Sequence, residues 1–381
     1  MNSKKKILIR IGSLRHGGAE KVLVTFLKNL SPHKYEIDLL LNLYSGKYLK
    51  EVPSWINIYY LNKGEMITTN RLQDIPQKAF RVTYQAVLKR FPKLLYKYIL
   101  PNTKYDIEFA AIHGIAGEIL DSPIKSSKKI IWIHNDLSNI PEYTEEKLKS
   151  FFRFDKILVI SEKINQLFLN IANSDEQKNK IVRIYNPIDV EEIKKLSLEP
   201  CTIKKLDNEP TFISIGTVFP QKGFDRLLKA HKRLLDNGYK HQIWIVGDGY
   251  DFPSIQKLVD DLRINESAKL IGFKENPYPF FVKADYYILS SRYEGYPTVL
   301  FEAMVLTKPI IATDVSGVRE MLNNGELGYI INNDEESIYY GMKYFMDNPE
   351  LVVKYKDIIK SKSLPFQLDN AVKSIEQYFN D

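Results

Sequence analysis

Short apolar runs alternate with amphipathic stretches along the whole chain. In the first half the runs are 7–11, 35–43, 56–61, 107–112, 129–133, 156–160 and 181–185. In the second half they are 211–215, 242–246, 269–273, 286–289, 309–313 and 329–331. Helical periodicity falls between several of them, at 19–30, 162–173, 223–235 and 255–262. Repeated β-α-β with nearly all-apolar strands predicts parallel sheets covered on both faces. The alternation lapses at 187–208. Asn186-Pro187-Ile188-Asp189 reads as a turn, because the residue before a proline avoids the helical region. A polar, charge-dense stretch follows, and a fresh strand starts at Thr211. The expected architecture is α/β, with two doubly wound Rossmann-like domains at 1–187 and 188–360. The remaining segment, 361–381, contains one more helical pattern at 366–379.

Composition agrees with this. The 381 residues are 44% hydrophobic and 27% charged, ordinary for a globular protein and long enough for two domains. The lone Cys201 has no internal partner, so a reducing compartment is the simple expectation. The start of the chain is basic, but Arg10 cuts its apolar run too short for an export signal. No stretch approaches 18 uninterrupted apolar residues, the length needed to span a bilayer. A soluble cytoplasmic protein is expected, free to touch a membrane surface.

Charge adds an asymmetry. The net charge is +7, yet residues 1–190 carry +11 and the remainder −4. Much of the excess lies between Lys78 and Lys104, which holds seven basic residues and no acid. Lys89, Arg90, Lys93 and Lys97 are interleaved with Val87, Leu88, Phe91, Leu94, Leu95 and Tyr98. Pro92 favours two short helices over one. Basic amphipathic helices with aromatic residues suit an anionic membrane interface, though a solvated helix face has the same pattern. Nothing resembles a helix-turn-helix, RNA-recognition or zinc signature, so nucleic acid is not the expected partner.

Candidate chemistry clusters at strand ends. The first strand runs into Gly12-Ser13-Leu14-Arg15-His16-Gly17-Gly18-Ala19-Glu20 and a helix. Such a turn either holds an anion on its amides or simply closes a strand. It is not a dinucleotide fingerprint. His113 and His134 each follow a strand and are placed to meet a substrate, or to bond within a loop. In the second half, Gly216-Thr217-Val218-Phe219-Pro220-Gln221-Lys222-Gly223 joins a strand to a helix and sets a lysine at the helix start. Val246-Gly247-Asp248-Gly249 closes the next strand. In Glu294-Gly295-Tyr296-Pro297-Thr298-Val299-Leu300-Phe301-Glu302 the proline suits a first helical turn. Amides of Thr298, Val299 and Leu300 then lie near a helix N-terminus. Two carboxylates eight residues apart, one in a loop and one in a helix, can grip two ends of one ligand. On spacing alone they are equally a surface acid and an ion-pair acid.

These motifs resemble the retaining glycosyltransferases of family 4, which have the B-type fold of two Rossmann-like domains facing across a cleft. The E-x7-E pattern of Glu294 and Glu302 is that family's signature. Lys308-Pro309-Ile310-Ile311-Ala312-Thr313, Gln221-Lys222-Gly223-Phe224-Asp225, Gly247-Asp248-Gly249, Asn186-Pro187-Ile188-Asp189 and Gly17-Gly18-Ala19-Glu20 fit it too. The resemblance spans 7–360, and it implies a last helix that crosses back to the first domain. It implies a nucleotide-sugar donor, a UDP-sugar before a GDP-sugar, and a glycan or lipid-linked acceptor in cell-surface polysaccharide assembly such as capsule. Glu294 would meet donor-sugar hydroxyls and Glu302 the ribose. Lys222 would neutralise the diphosphate beside the amides of Gly17, Gly18, Val299 and Leu300. Gly216, Thr217, Gly247, Phe273, Gly295 and Thr298 would complete the donor site, and His113 and His134 would stand near the reacting groups. The family usually has arginine where Thr217 stands, so one cation is missing; Arg15, or less readily Arg292, would replace it. No D-x-D motif and no metal-ligand spacing occurs, which fits metal-independent chemistry without a cofactor. The alternative is a non-catalytic, glycosyltransferase-like nucleotide-binding subunit.

Overall fold

A computed structural model describes residues 4–15, 17–64, 75–101, 104–206, 209–362 and 368–380, the side chains of Gln77, Lys89 and Asn139 aside. The chain divides into two units, Met1–Pro187 with Leu368–Asp381, and Ile188–Gln367. Unit 2 thus runs past residue 361 through the helix Glu350–Ser361, and the returning helix starts at Leu368.

Unit 1 is built on β1 (Lys5–Ile11), β2 (Tyr35–Tyr44), β3 (Asn57–Lys63), β4 (Ile107–Ala110), β5 (Lys128–Ile133), β6 (Lys156–Val159) and β7 (Ile181–Arg183). Their order is β3-β2-β1-β4-β5-β6-β7, and every pairing is parallel. Unit 2 has β8 (Thr211–Ile215), β9 (Gln242–Val246), β10 (Ala268–Gly272), β11 (Tyr286–Leu289), β12 (Ile310–Thr313) and β13 (Tyr329–Ile331). Their order is β10-β9-β8-β11-β12-β13, again all parallel. All thirteen expected strands are present. Inner strands such as β4, β9 and β12 are buried at every position, whereas the edge strands β3, β7, β10 and β13 keep half-exposed residues. That is what two covered faces demand of the interior and not of the rim.

Local chemistry sets the helix boundaries. Ser161, Asp189 and Asp334 cap their helices by accepting an amide three residues on. Pro92 does what its ring requires. The helix Ile75–Arg90 stops before it, and a second helix, Pro92–Tyr98, begins on it.

The C-terminal helix, Leu368–Asn380, belongs to the core of unit 1. The Phe379 ring lies 5.8–6.0 Å from those of Tyr35, Phe26 and Phe109. Lys5 Nζ donates to Phe379 O at 2.6 Å. In unit 2 the core encloses two polar rings. His231 Nδ1 and His241 Nε2 are 2.7 Å apart, His231 Nε2 is 2.8 Å from Ser267 Oγ, and His241 Nδ1 is 2.9 Å from Tyr239 O. Burial pushes His231 down to about 2, with His241 beside it adding, and His241 down to about 4.

Two outcomes follow from this packing. Phe379→Ala should cost about 3–5 kcal/mol in chemical unfolding, the usual loss for a core phenylalanine. For the histidine pair, unfolded rings take a proton near 6.5 while the folded ones stay neutral to about 4. The unfolded state therefore binds more protons in that window. Stability is full above pH 6.5 and falls as pH drops through it. Melting temperatures between pH 7.5 and 5 should show the fall, and His241→Gln should flatten the slope.

Candidate functional site

In a parallel sheet the loops at the carboxyl ends part where the strand order reverses, and ligands bind there. The reversals fall between β1 and β4 in unit 1 and between β8 and β11 in unit 2.

At the unit 2 reversal, backbone packs against backbone through glycines. Gly216 follows β8, and a Cβ there would stand 3.0 Å from Lys222 Cε. Gly247 follows β9 with φ +152°, and its Cβ would fall 1.8 Å from Gly216 O. Only glycine lets these two strand ends approach so closely. Lys222 closes a short turn, Pro220–Lys222, and its stem lies over Gly216. Its Nζ meets Glu294 Oε1 at 2.6 Å, and Ser291 Oγ donates to the same oxygen at 2.6 Å. The two charged side chains are only 19% and 9% exposed. An ion pair thus bridges the loops after β8 and β11, the strands that flank the reversal.

The Glu294 loop is held from behind by residues that spacing did not reveal. Arg226, buried on the helix Phe224–Asp236, donates to Ser290 O at 2.8 Å, Ser291 O at 2.8 Å and Asn333 Oδ1 at 2.5 Å. Asn333 Nδ2 donates in turn to Arg292 O at 2.7 Å, and Thr313 Oγ1 to Ser291 O at 2.8 Å. Arg292, the less favoured replacement for the missing cation, is already engaged. Its fork grips both oxygens of Asp225 at 2.7 Å and donates to Pro220 O. Burial raises the Asp225 carboxyl, but the Arg292 fork outweighs this and holds it below the usual range. A bidentate arginine is a rigid strut.

Glu302 lies buried on the helix Val299–Val305 and accepts from Tyr278 OH at 3.3 Å. The Leu300 amide, expected to face a ligand, donates to Pro297 O at 2.9 Å. This tightening of the first turn takes the Leu300 amide out of the set available to a ligand. Gly295 is buried in the loop, Thr217 follows Gly216, and half-buried Phe273 follows β10.

In unit 1, Gly17 precedes the helix Gly18–Lys28. A Cβ at Gly17 would stand 2.0 Å from Glu20 Oε2, so the Glu20 carboxylate folds back over the helix start. Burial pushes that carboxyl up, against its own amide and the nearby charge of Arg15. A glutamate three residues beyond a helix cap was the available signal, and it was missed. His113 begins a turn after β4, and His134 follows β5. Burial drives His113 to about 4, helped by Lys147, and His134 to about 3, helped by His113. Both rings are therefore neutral at pH 7, suited to hydrogen bonding rather than to holding charge. Tyr143 stacks edge-on to His113 at 5.2 Å, and Trp132 lies 4.6 Å from His134. Arg90, Lys93 and Lys97 are exposed on the two helices around Pro92, while the Lys89 side chain lies outside the described residues. Among the described residues no group of three or more His, Cys, Asp or Glu is placed to hold a metal ion.

Known structures share this architecture. HepE of Anabaena, solved with UDP and glucose, superposes with a TM-score of 0.72 at 16% identity, covering 99% of this chain and 100% of its own. TarM of S. aureus, solved with Fondaparinux, alpha-GlcNAc-glycerol and UDP, gives 0.70 at 13% identity, covering 99% and 100%. The fold is thus that of the two-Rossmann-domain glycosyltransferases. Residues 202–362 match the sequence profile of the family described as glycosyl transferases group 1, and this segment carries Lys222, Glu294 and Glu302. A Campylobacter jejuni relative is 26% identical over 372 residues, 95% of this chain and 96% of its own. It is named N-acetylgalactosamine-N,N'-diacetylbacillosaminyl-diphospho-undecaprenol 4-alpha-N-acetylgalactosaminyltransferase. The motifs and these matches agree on a glycosyltransferase of this fold, and together they support glycosyltransferase activity in this chain.

The glycine floor carries its own test. Gly238 and Gly247 both have positive φ, at +85° and +152°, but a Cβ at Gly238 meets nothing within 4 Å. Gly238→Ala should cost about 1–2 kcal/mol, the left-handed penalty alone. Gly247→Ala adds a backbone clash and should lower the melting temperature distinctly more.

Proposed function

We propose that the protein transfers a hexose or N-acetylhexosamine, with retention, from a UDP-sugar to a lipid-linked glycan acceptor in cell-surface polysaccharide assembly. The observation that carries this reading is the Lys222–Glu294 ion pair at the strand-order reversal, with Glu302 eight residues further on. The relative from C. jejuni is named for an undecaprenol-linked acceptor, and HepE was solved with UDP. Both support a UDP donor and a lipid-linked acceptor here. Among the described residues no helix is long and apolar enough to cross a membrane. On this reading the enzyme meets its acceptor as a peripheral protein on the inner face of the cell membrane, and needs no nucleic acid.

The chemistry then runs as follows. Lys222 turns to the donor diphosphate and stabilises the charge that grows on it as the bond to the anomeric carbon breaks. Glu294, released from Lys222, accepts hydrogen bonds from sugar hydroxyls, and Glu302 takes the ribose diol. The acceptor oxygen attacks the anomeric carbon on the face the diphosphate leaves, and its proton passes to a diphosphate oxygen. His113 and His134, both neutral, orient hydroxyl groups rather than carry the proton. Arg15 serves as the second diphosphate cation in the absence of an arginine at Thr217, so that side-chain cations rather than a metal balance the leaving group.

The expected result is a thermal shift with UDP that GDP does not match. A ligand at about 100 times its dissociation constant adds about 2.7 kcal/mol. Lys222→Ala should reduce turnover by about 100- to 1,000-fold, the usual cost of a lost transition-state donor. Arg15→Ala should cost as much. A shift with neither nucleotide counts against the donor reading, and near-normal turnover in Arg15→Ala ends that residue's role.

A further inference from the structure

The opposite edge of the first sheet carries a second charged feature. At the amino ends of β1, β4 and β5 lies an open basin of about 880 Å³. Six lysines line it: Lys4, Lys6, Lys93, Lys97, Lys104 and Lys125. Its one carboxylate, Asp106, already accepts the Lys6 amide at 2.8 Å. Lys6 Nζ stands 3.6 Å from Glu36, and Lys125 Nζ donates to Ser122 O. Among the described residues no carboxylate pairs with Lys4, Lys93, Lys97 or Lys104. Six like charges around one basin repel each other, and a polyanion relieves that repulsion. β1 is seven residues long, so the basin lies about 20 Å from the carboxyl edge and its histidines.

The helices beside the basin bury one apolar stripe, with Leu88, Leu95 and Tyr96 packed on Leu8 and Leu40 of the sheet, and leave a second one exposed. Of the sixteen large hydrophobic side chains exposed among the described residues, seven lie between Ile75 and Tyr98. The sheet face beneath them mixes Leu8 and Leu40 with charged groups. It buries Arg10, Asp38, Glu108 and Lys129, and Glu108 accepts from Tyr96, Ser127 and Lys129. On the helix Pro92–Tyr98, Leu94 and Tyr98 form one stripe, and Lys93 and Lys97 the adjacent one. An apolar stripe bordered by lysines matches the boundary between acyl chains and headgroups.

We propose that this end of unit 1 docks on an anionic phospholipid surface, with headgroup phosphates in the lysine basin and Phe91, Leu94 and Tyr98 entering the interface. The proposal rests on the reading of the acceptor as lipid-linked, and it adds where the protein touches the bilayer.

Vesicle co-sedimentation, with phosphatidylcholine alone and with added phosphatidylglycerol, tests it. The wild type should bind the anionic vesicles. The triple variant Lys4→Gln, Lys104→Gln, Lys125→Gln should bind them about 100-fold more weakly, about fivefold per lysine near an anionic surface. A control of equal charge, Lys257→Gln, Lys283→Gln, Lys354→Gln, should match the wild type, and Leu94→Ser with Tyr98→Ser should weaken binding again. Melting temperatures confirm that each variant is folded. If the basin triple binds like the control, the basin is not the contact, while the peripheral reading stands. If the wild type ignores anionic vesicles, docking and the peripheral reading fall together, and the UDP shift still judges the transferase. If inorganic pyrophosphate stabilises the wild type but not the triple, and vesicles do not bind, the basin takes a free phosphate compound and the lipid proposal is overturned.

Discussion

Within each sheet every strand runs the same way, and the rest of each unit follows from that constraint. Parallel strands send all their carboxyl ends to one edge, and each return must cross the sheet as a helix. Where the order reverses, at β1/β4 and β8/β11, neighbouring loops turn away from each other and leave room for a ligand. Residues that meet at such a point come from distant parts of the chain. Lys222 and Glu294 are 72 positions apart, yet they form one ion pair because β8 and β11 are neighbours. Gly216 leaves room for the Lys222 stem, and Gly247 lets the end of β9 close on Gly216 from the other side.

That origin explains what the sequence revealed and what it hid. The strands were legible because two covered faces force nearly every inner position to be apolar. The break at Pro92 was legible because a missing N–H cannot be disguised. Lys222, Glu294 and Glu302 were each visible within their motifs, but nothing in the spacing joined Lys222 to Glu294. Arg226 was not legible at all. One arginine in an amphipathic helix looks solvated, and only the fold turns it inward to the carbonyls of Ser290 and Ser291. Arg292 misled for the converse reason, because its fork is already filled by Asp225. The Leu300 amide was lost to a first turn tighter than a regular α-helix, which sequence pattern cannot separate from a regular one.

The charge asymmetry also takes a more definite form. Much of the positive excess of the first half lies in one basic helical segment, 78–104. The structure adds lysines from the starts of strands and from the loop before β5, which sequence distance had kept apart. The buried charges on the same face are a different matter. Glu108 is surrounded by Tyr96, Ser127 and Lys129, and Asp38 by Asn57 and Tyr105. Such groups are tolerated because each carboxylate has its hydrogen bonds; removing a partner would leave an uncompensated charge.

The same logic bears on the site in unit 2. Lys222 and Glu294 have lost most of their water, and each is compensated by the other. On the proposed reading, a donor that offers phosphate oxygens to the lysine and hydroxyls to the glutamate replaces one set of partners with another, so little additional desolvation is required. Neither group has to be brought in from solvent when the leaving group begins to charge. The loops that carry them are already braced by Arg226, Asn333 and the Arg292–Asp225 fork, and their geometry is set before a ligand arrives. Stabilisation of a developing charge is most effective under these conditions, with aligned groups, little water and no reorganisation at the moment of reaction. The braces that the sequence concealed are therefore as much a part of the proposed chemistry as the carboxylates it displayed.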